Sequence, residues 1–504
     1  MGLISWLQGR RDDKLDTHQA GLNVIEKFGE NLTPNMRALR LAMRVADIML
    51  SMGVAANSVV SRALDITESY CEKPVHIDIT SNIIFLSQIR GVDKEPLTLI
   101  RPMTERDINY VTLRNVQSLV HRIKEGKLPL DEAEKHLDDI MNNQHQYPTW
   151  WTSLSGGVVV AGVTLFYSSS PLAILAGFLI GVVVDRMLYS TERNAVPPFF
   201  RQIVVAMTMT LFAAVVHMVA TGIGGDWLAL NPSLIVVAGI VLLASGMAIV
   251  SSMQDAIEEY YLTSIARFTK VMMQTTGMVV GVLIGLYFAS RLSIPISVRP
   301  DPLEPNTLLV QVLGAFLATV GFSIARQVQI HALPWVGLVG ALVFTVFQFS
   351  VNVLDFDAVP ASGIAAFVAG LVGAIMSRFW HTPSIGIISA GIIPLVPGLM
   401  LYRGLMQVTN YPPGDPLFFK AVGTLSTVLV IALFIAAGAS LGNLVGRPVH
   451  QRLAYARNYS PFMDFIRRQY NPTRRRRLGI FALKTPDETK RTEESTEQPD
   501  DDQA

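Results

Sequence analysis

The chain has 504 residues, of which 50% are hydrophobic and only 16% are charged, and its formal net charge is +1. An average soluble domain carries about 25% charged residues, so this composition favours a membrane protein over a soluble one. The sequence has no basic face with interleaved aromatic residues, which argues against a nucleic-acid partner. Its one cysteine, Cys71, excludes an internal disulfide bond and a cysteine metal cluster.

Residues 1–32 form an N-terminal segment with a short apolar run at Met1 to Leu7. That run is too short for the core of a signal peptide, and basic residues follow it instead of preceding it. The sequence therefore predicts that the domain behind this segment is not exported and lies in the cytoplasm.

Residues 33–147 predict a cytoplasmic α+β domain. Thr33 and Pro34 begin a helix, because a hydroxyl at the cap and proline in the first turn are typical helix starts. The apolar spacing and alternation that follow predict three more helices and three strands. We expect helices over 55–71, 105–124 and 130–142 and strands over 75–79, 83–86 and 96–100.

Three residues of this domain allow an alternative function, that of a membrane-anchored hydrolase. Cys71, His76 and Ser81 lie close together in sequence and include a nucleophile and a base. A nucleophile needs a base in hydrogen-bond geometry, and this spacing does not guarantee it. The competing interpretation is a folding or regulatory domain attached to a transporter.

The middle of the chain contains ten apolar segments of roughly the 20 residues that cross a bilayer. Lys and Arg are concentrated in the loops of one side, with exceptions in two loops of the other side, and this predicts cytoplasmic N- and C-termini. We expect a first half at 148–290 and a second at 291–446. The predicted spans are 150–168, 171–188, 201–221, 232–252, 271–290, 307–325, 334–354, 358–378, 384–405 and 418–445.

An internal repeat relates spans four and nine. The segment Ala238 to Gly246 resembles Ala390 to Gly398 at an offset of 152 residues, without a gap. Five spans separate the two segments, and an odd separation inverts the direction of crossing. The sequence therefore predicts two inverted five-helix repeats, a recurring plan of secondary transporters.

Span nine carries Pro394 and Pro397 within its apolar run. Proline removes a backbone donor and kinks or breaks a helix, so the pattern predicts a discontinuous helix there. Such breaks expose carbonyl groups and helix ends that can hold polar substrates. An ordinary kinked helix packed by glycine is the alternative.

Ionisable residues near the membrane are the other site candidates, because a charge at membrane depth is costly. Asp255, Glu258 and Glu259 are expected on one helix surface at the end of span four, either as a proton relay or amine site or as a solvated loop helix. Arg403 follows the break in span nine. It either pairs with a substrate carboxylate or extends to the membrane interface as a snorkelling side chain. His217 lies inside span three and is either part of a proton pathway or a packed residue.

Residues 447–504 are basic and then acidic. The run Arg474 to Arg477 is expected to contact anionic lipid headgroups, and the acidic end is expected to be disordered. No phosphate-binding loop, metal-ligand motif or dinucleotide fingerprint occurs, so we expect no cofactor and no ATP-driven pump on this chain.

The chain resembles the bacterial threonine/serine exporter family over roughly residues 35–450. The resemblance is carried by Ala42–Gly53 and Pro74–Leu86, by Ser245 to Asp255 in span four, and by Ile393 to Gly398 in span nine. The family has a proline-glycine pair where this chain has Ser245 and Gly246. That departure predicts a less sharply broken span four.

The resemblance implies a multi-pass plasma-membrane exporter of threonine and serine, driven by the proton gradient, and not an enzyme. Its partners are these substrates, protons and the lipid bilayer, and a homo-oligomer is left open. A related two-protein version looks like a dicarboxylate exporter, so succinate is the alternative substrate. The residues expected to form the pathway are Gly246, Asp255, Glu258, His217, Pro394, Pro397, Gly398 and Arg403.

Overall fold

The computed structural model describes most of residues 33–458. Within these limits it leaves out 92–93, 105, 107, 144–146, 195, 224–231, 244–245, 292–304, 381, 398–399, 402, 405–406, 409–410 and 412–413. The chain divides into two compact units, Met1–Arg447 and Pro448–Ala504. All elements below, except the end of the last helix, belong to the first unit.

Among the described residues, four helices and three strands precede the apolar helices, and a separate α+β domain stays a prediction. Thr33 caps the first helix, its Oγ1 accepting a hydrogen bond from the Met36 amide at 3.4 Å. The strands form one antiparallel sheet in the order β1-β2-β3. The elements are α1 (Pro34–Ser51), α2 (Ala56–Tyr70), β1 (Val75–Thr80), β2 (Ile83–Gln88), β3 (Leu97–Pro102), α3 (Tyr110–Lys124) and α4 (Leu130–Asn142). We call residues 33–147 the N-terminal domain.

A buried carboxylate fixes the connection between β3 and α3. Asp47 on α1 is fully buried, and its Oδ1 accepts a hydrogen bond from the Thr104 amide at 2.8 Å. Its Oδ2 lies 3.2 Å from Nη2 of Arg106 and 3.4 Å from Nη2 of Arg101. A buried charge needs such partners, so this network holds the start of α3 against α1.

Eleven further helices follow in the described part of the chain. Two short 3₁₀ helices, Ile330–Ala332 and Ile393–Leu395, lie among them. The helices are α5 (Thr149–Thr164), α6 (Pro171–Arg193), α7 (Pro198–Ile223), α8 (Pro232–Leu243), α9 (Gly246–Ile257), α10 (Tyr261–Arg291), α11 (Leu308–Ala325), α12 (Leu333–Asn352), α13 (Ala358–Trp380), α14 (Ser384–Gly391) and α15 (Pro416–Asn458).

Seven of these helices are long and apolar enough to cross a membrane, and α8 with α9 forms an eighth, bent candidate. A polytopic helical membrane protein is therefore confirmed. Each of the ten predicted spans contains helix among the described residues, but α5 has only 16 residues and Ser384–Leu395 is also short. Ten spans in two inverted repeats stay a prediction.

The interruption predicted in span nine is present, and span four is bent as well. Span nine stops at Gly391 and continues as the 3₁₀ turn that contains Pro394. Span four bends by 43° between α8 and α9. Residues 244–245 lie outside the described residues, so the weaker break expected at Ser245 and Gly246 stays a prediction.

Glycine brings the backbones of the apolar helices α5 to α15, here called the membrane block, into close contact. Gly162 on α5 and Gly314 on α11 face each other, and a Cβ on Gly162 would lie 2.6 Å from the Ala318 nitrogen and 2.7 Å from the Gly314 oxygen. A Cβ on Gly314 would lie 2.5 Å from the Gly162 oxygen. Small residues allow such approaches, which supply packing energy where lipid gives no hydrophobic drive.

We expect Gly162→Ala to destabilise the protein by about 1–3 kcal/mol, because the methyl group meets backbone that cannot move aside. The measurement is the midpoint of thermal unfolding in detergent. Gly423→Ala is the matched control, since a Cβ at this helical glycine meets nothing within 4 Å. Equal midpoints for both variants would contradict the close contact between α5 and α11 at Gly162.

Candidate functional site

A buried ion pair lies where α9 and α10 meet. Asp255, in the last turn of α9, is 0% exposed. Its Oδ2 lies 2.7 Å from Nη1 of Arg267 on α10, whose side chain is 20% exposed. Neither carboxylate oxygen makes a well-aligned hydrogen bond among the described residues. The carboxylate therefore keeps acceptor capacity that a ligand or a proton can use.

Two serine residues join the helices that carry this pair. Ser252, one turn before Asp255, is fully buried, and its Oγ donates to the Ser264 carbonyl oxygen at 2.8 Å. The two Oγ atoms are 3.3 Å apart. This hydrogen bond fixes α9 against α10. Ser252 lies three residues before Asp255 and Ser264 lies three residues before Arg267, so both hydroxyl groups are one helical turn from the ion pair.

The N-terminal domain closes over the site. The backbone amide of Ala56, the first residue of α2, lies against the Asp255 carboxylate. Nearby, the Ser81 amide donates to Oγ1 of Thr263 on α10 at 3.1 Å. The Asp255 charge thus has two sources of positive potential, the Arg267 guanidinium and the N-terminus of a helix.

Glu258 directly follows α9, and its amide still donates to the Gln254 carbonyl at 3.0 Å. Glu259, the next residue, leaves the helix with a φ of 68°. Glu258 lies in the turn, where its Oε1 accepts from Nε2 of Gln254 at 3.2 Å. Burial, together with the charges of Asp78, Glu258 and Asp255, raises the pKa of Tyr260.

The bend of span four has a polar partner that the sequence reasoning missed. Gln202 on α7 is 5% exposed, and its Nε2 donates to the carbonyl oxygen of Leu243, the last residue of α8, at 3.4 Å. Its Oε1 has no hydrogen-bond partner among the described residues. A carboxamide inside an apolar span was the available signal, since such a group must find partners in the bundle.

The segments that follow the breaks of spans four and nine contact each other in one apolar cluster. Ile249 of α9, Leu401 beyond the break of span nine, Val271 of α10 and Val428 of α15 are all buried there, and Met400 packs against them. Two segments about 150 residues apart in sequence thus come together directly beyond their respective breaks.

The other predicted site residues do not join Asp255. His217 belongs to α7 near the contact of Ala214 with Ala289, and Ala289 is 22 residues from Arg267 on α10. At about 1.5 Å per residue, roughly 30 Å separates that contact from Arg267. His217 is therefore not part of the Asp255 site.

The residues predicted in span nine have separate surroundings. Pro394 lies in the 3₁₀ turn and Pro397 is buried, its carbonyl oxygen accepting from the Leu401 amide at 3.0 Å. Arg403 lies close enough to Tyr167 to act on it electrostatically. Gly246 begins α9, and Gly398 lies outside the described residues.

The hydrolase alternative gains nothing from the geometry. Burial raises the pKa of the Cys71 thiol, whereas a thiol nucleophile requires a lowered pKa. His76 is exposed on β1.

Two comparisons with known proteins, one with family models and one with individual proteins, agree with each other. Residues 40–289 match the family described as "Putative threonine/serine exporter", and residues 311–445 match the one described as "Threonine/Serine exporter, ThrE". A "Probable threonine/serine exporter" of Mycobacterium tuberculosis is 30% identical over 89% of this chain and 83% of its own length. The chain belongs to the threonine/serine exporter family. A "Threonine/serine exporter" of Corynebacterium glutamicum is 26% identical over 85% of this chain and 86% of its own.

Membership of the exporter family confirms the resemblance found in the sequence. No solved structure matches the chain. Together with the apolar helices, the family makes the chain a multi-pass membrane transporter of small molecules.

We expect Arg267→Gln to destabilise the protein by about 3–5 kcal/mol, since it leaves the buried Asp255 charge without its cation. The double variant Asp255→Asn with Arg267→Gln should regain most of that loss, because no charge then remains buried. The midpoint of thermal unfolding measures both, with Arg186→Gln at an exposed arginine as the control. A double variant no more stable than Arg267→Gln alone would refute the pairing.

Proposed function

We propose that the protein is a secondary active exporter of threonine and serine across the cell membrane, coupled to the proton gradient. The observation that carries the proposal is the buried Asp255–Arg267 pair at the end of a broken span, in a chain of the threonine/serine exporter family. The names of the two relatives give the same substrates.

The charges of the pair complement those of an amino acid. Asp255 can accept from the substrate ammonium group, and Arg267 can donate two parallel hydrogen bonds to the substrate carboxylate. A zwitterion that enters between the two side chains exchanges one ion pair for two. The hydroxyls of Ser252 and Ser264 lie next to the pair and suit a substrate with a side-chain hydroxyl.

Proton coupling follows from competition at one carboxylate. Asp255 binds either a proton or an ammonium group, because both occupy the same lone pairs. A carrier whose Asp255 is protonated from outside and deprotonated inside therefore exchanges protons for amino acids. The complete burial of the carboxylate, with neither oxygen in a well-aligned hydrogen bond among the described residues, supports this role over that of a solvated surface charge.

The packing supports two inverted repeats, on which alternating access would depend. Gly162 and Gly314, which face each other, are 152 residues apart, the spacing of the sequence repeat. Ile249 and Leu401, which share one cluster, are also 152 residues apart. At a two-fold axis each residue meets its own equivalent, so both contacts are those expected on a pseudo-two-fold axis between the halves.

The breaks provide the second component of the site. The Leu243 carbonyl, freed at the end of α8, is held by Gln202, and the Gln202 Oε1 remains an acceptor for a substrate donor. Discontinuous spans that meet near the bilayer centre are the usual substrate sites of carriers with this plan. We place the pathway between these breaks and Asp255.

Asp255→Asn is expected to lower threonine efflux at least tenfold, since an amide can neither carry the proton nor neutralise the ammonium group. Cells loaded with a threonine peptide and treated with or without a protonophore provide the measurement. The control is Glu259→Gln, an exposed carboxylate in the adjoining turn, which should leave efflux unchanged. Efflux insensitive to both the protonophore and Asp255→Asn would remove proton coupling.

Competition for uptake into inside-out vesicles tests the substrate. We expect threonine and serine, but not succinate, to compete with labelled threonine, because a dicarboxylate would meet Asp255 with a like charge. Competition by succinate alone would replace the proposal by dicarboxylate export.

Cysteine accessibility tests the proposed cytoplasmic position of the N-terminal domain. In a Cys71→Ser background, Thr98→Cys on the exposed side of β3 should react with an impermeant maleimide in inverted vesicles but not in intact cells. Ser169→Cys, in the loop between α5 and α6, should react in intact cells and serves as the control. The reverse pattern would invert the orientation.

A further inference from the structure

The N-terminal domain holds both broken spans. It reaches span four where Ala56 meets Asp255, and it reaches span nine through Tyr110, the first residue of α3. The Tyr110 ring packs on Gly386, where a Cβ would lie 3.1 Å from it, and the Tyr110 hydroxyl hydrogen-bonds Ser389. One folded domain is thus attached to the same-side arms of two helices that must move in alternating access.

Further hydrogen bonds join the domain to the connection between α11 and α12. The Tyr110 amide donates to the Arg326 carbonyl at 3.0 Å, and the Tyr147 hydroxyl donates to the Val328 carbonyl at 2.7 Å. Buried residues of the domain and of the membrane helices, among them Val120 and Val336, belong to one continuous apolar core. The domain is therefore packed onto the membrane block and is not merely tethered to it.

The contact at Asp255 completes a helix that lacks its own cap. The N-cap position of α2 is Ala55, which has no side chain able to accept a hydrogen bond. Ser, Thr, Asp and Asn are strongly preferred there, because the first amides of a helix have no partners within it. The Asp255 carboxylate, from an element about 200 residues later, faces one of them, the Ala56 amide. Helix termini of this kind attract anions.

We propose that the N-terminal domain is the gate of the transport pathway on its side of the membrane and that Asp255 is the latch. The N-terminus of α2 occupies, at the Asp255 carboxylate, the place that the ammonium group of the substrate takes. Substrate and domain thus compete for one group, and the described structure is the closed state. This inference rests on the function proposed above, in which Asp255 binds the substrate.

The competition explains two features together. Asp255 is completely buried although it lies in the last turn of α9, and the Ala56 amide of α2 lies against it. The domain can leave without exposing an unpaired charge, since Arg267 stays with Asp255 on the membrane block. A substrate ammonium group that replaces the α2 terminus keeps the carboxylate compensated while the gate is open.

A reversible cross-link tests whether the domain must move. In a Cys71→Ser background, Ser81→Cys with Thr263→Cys places two thiols at the contact where the Ser81 amide meets Thr263. We expect oxidation to lower efflux at least tenfold and a reductant to restore it, with each single-cysteine variant unaffected. Efflux that continues in fully cross-linked protein, as fast as before oxidation, would show a permanent scaffold and overturn the gate.

A local cap tests the latch without a transport assay. Ala55→Asp gives α2 its own capping carboxylate, which also repels the Asp255 carboxylate. The N-terminal domain should therefore dissociate from the membrane helices at this contact. The readout is maleimide labelling of Thr263→Cys, a site that is 2% exposed while the domain is docked. We expect labelling at least tenfold faster in Ala55→Asp, but unchanged in Asn57→Asp, which adds the same charge at an exposed position of the first turn.

The two readouts separate the two proposals. Faster labelling in Ala55→Asp, without threonine efflux from any variant, would retain the latch and refute the proposed substrate. Normal efflux of threonine from the unmodified chain, with labelling equal in Ala55→Asp and Asn57→Asp, would retain the exporter and overturn the latch. Added threonine should itself speed labelling of Thr263→Cys in the otherwise unchanged chain.

Discussion

The rest of the structure depends on the burial of one charge, that of Asp255. Moving a carboxylate out of water costs several kcal/mol of solvation free energy. Here the Arg267 guanidinium and the α2 N-terminus offset that cost. These partners come from the next membrane helix and from the N-terminal domain. A single electrostatic requirement therefore ties together the end of span four, the start of α10 and the domain that covers them.

Close backbone packing gives this charge a rigid frame. Lipid offers no hydrophobic drive for helices to associate, so dense van der Waals contact must do so, and glycine permits it. The mutual contact of Gly162 and Gly314 brings α5 and α11 together, and Gly281 lies against the Ile203 carbonyl between α10 and α7. Such packing resists gradual deformation, which favours movement of whole arms about breaks rather than bending of intact helices.

Much of the fold was predictable because it rests on local rules. Hydropathy alone placed helix at all ten apolar segments, and alternation placed the three strands within a few residues of β1, β2 and β3. The helix start at Thr33 and the interruption at Pro394 followed from cap and proline chemistry.

The candidate site, like the fold, was predictable only where it depends on local sequence. The sequence by itself determined that Asp255 is a carboxylate at the end of an apolar helix, and the cost of such a charge made it a candidate. Only the tertiary structure decided its partners, because Arg267, Ala56 and Gln202 reach it or the nearby bend from other elements. Pairing across elements depends on how helices pack in three dimensions, and no spacing along a single chain encodes that arrangement.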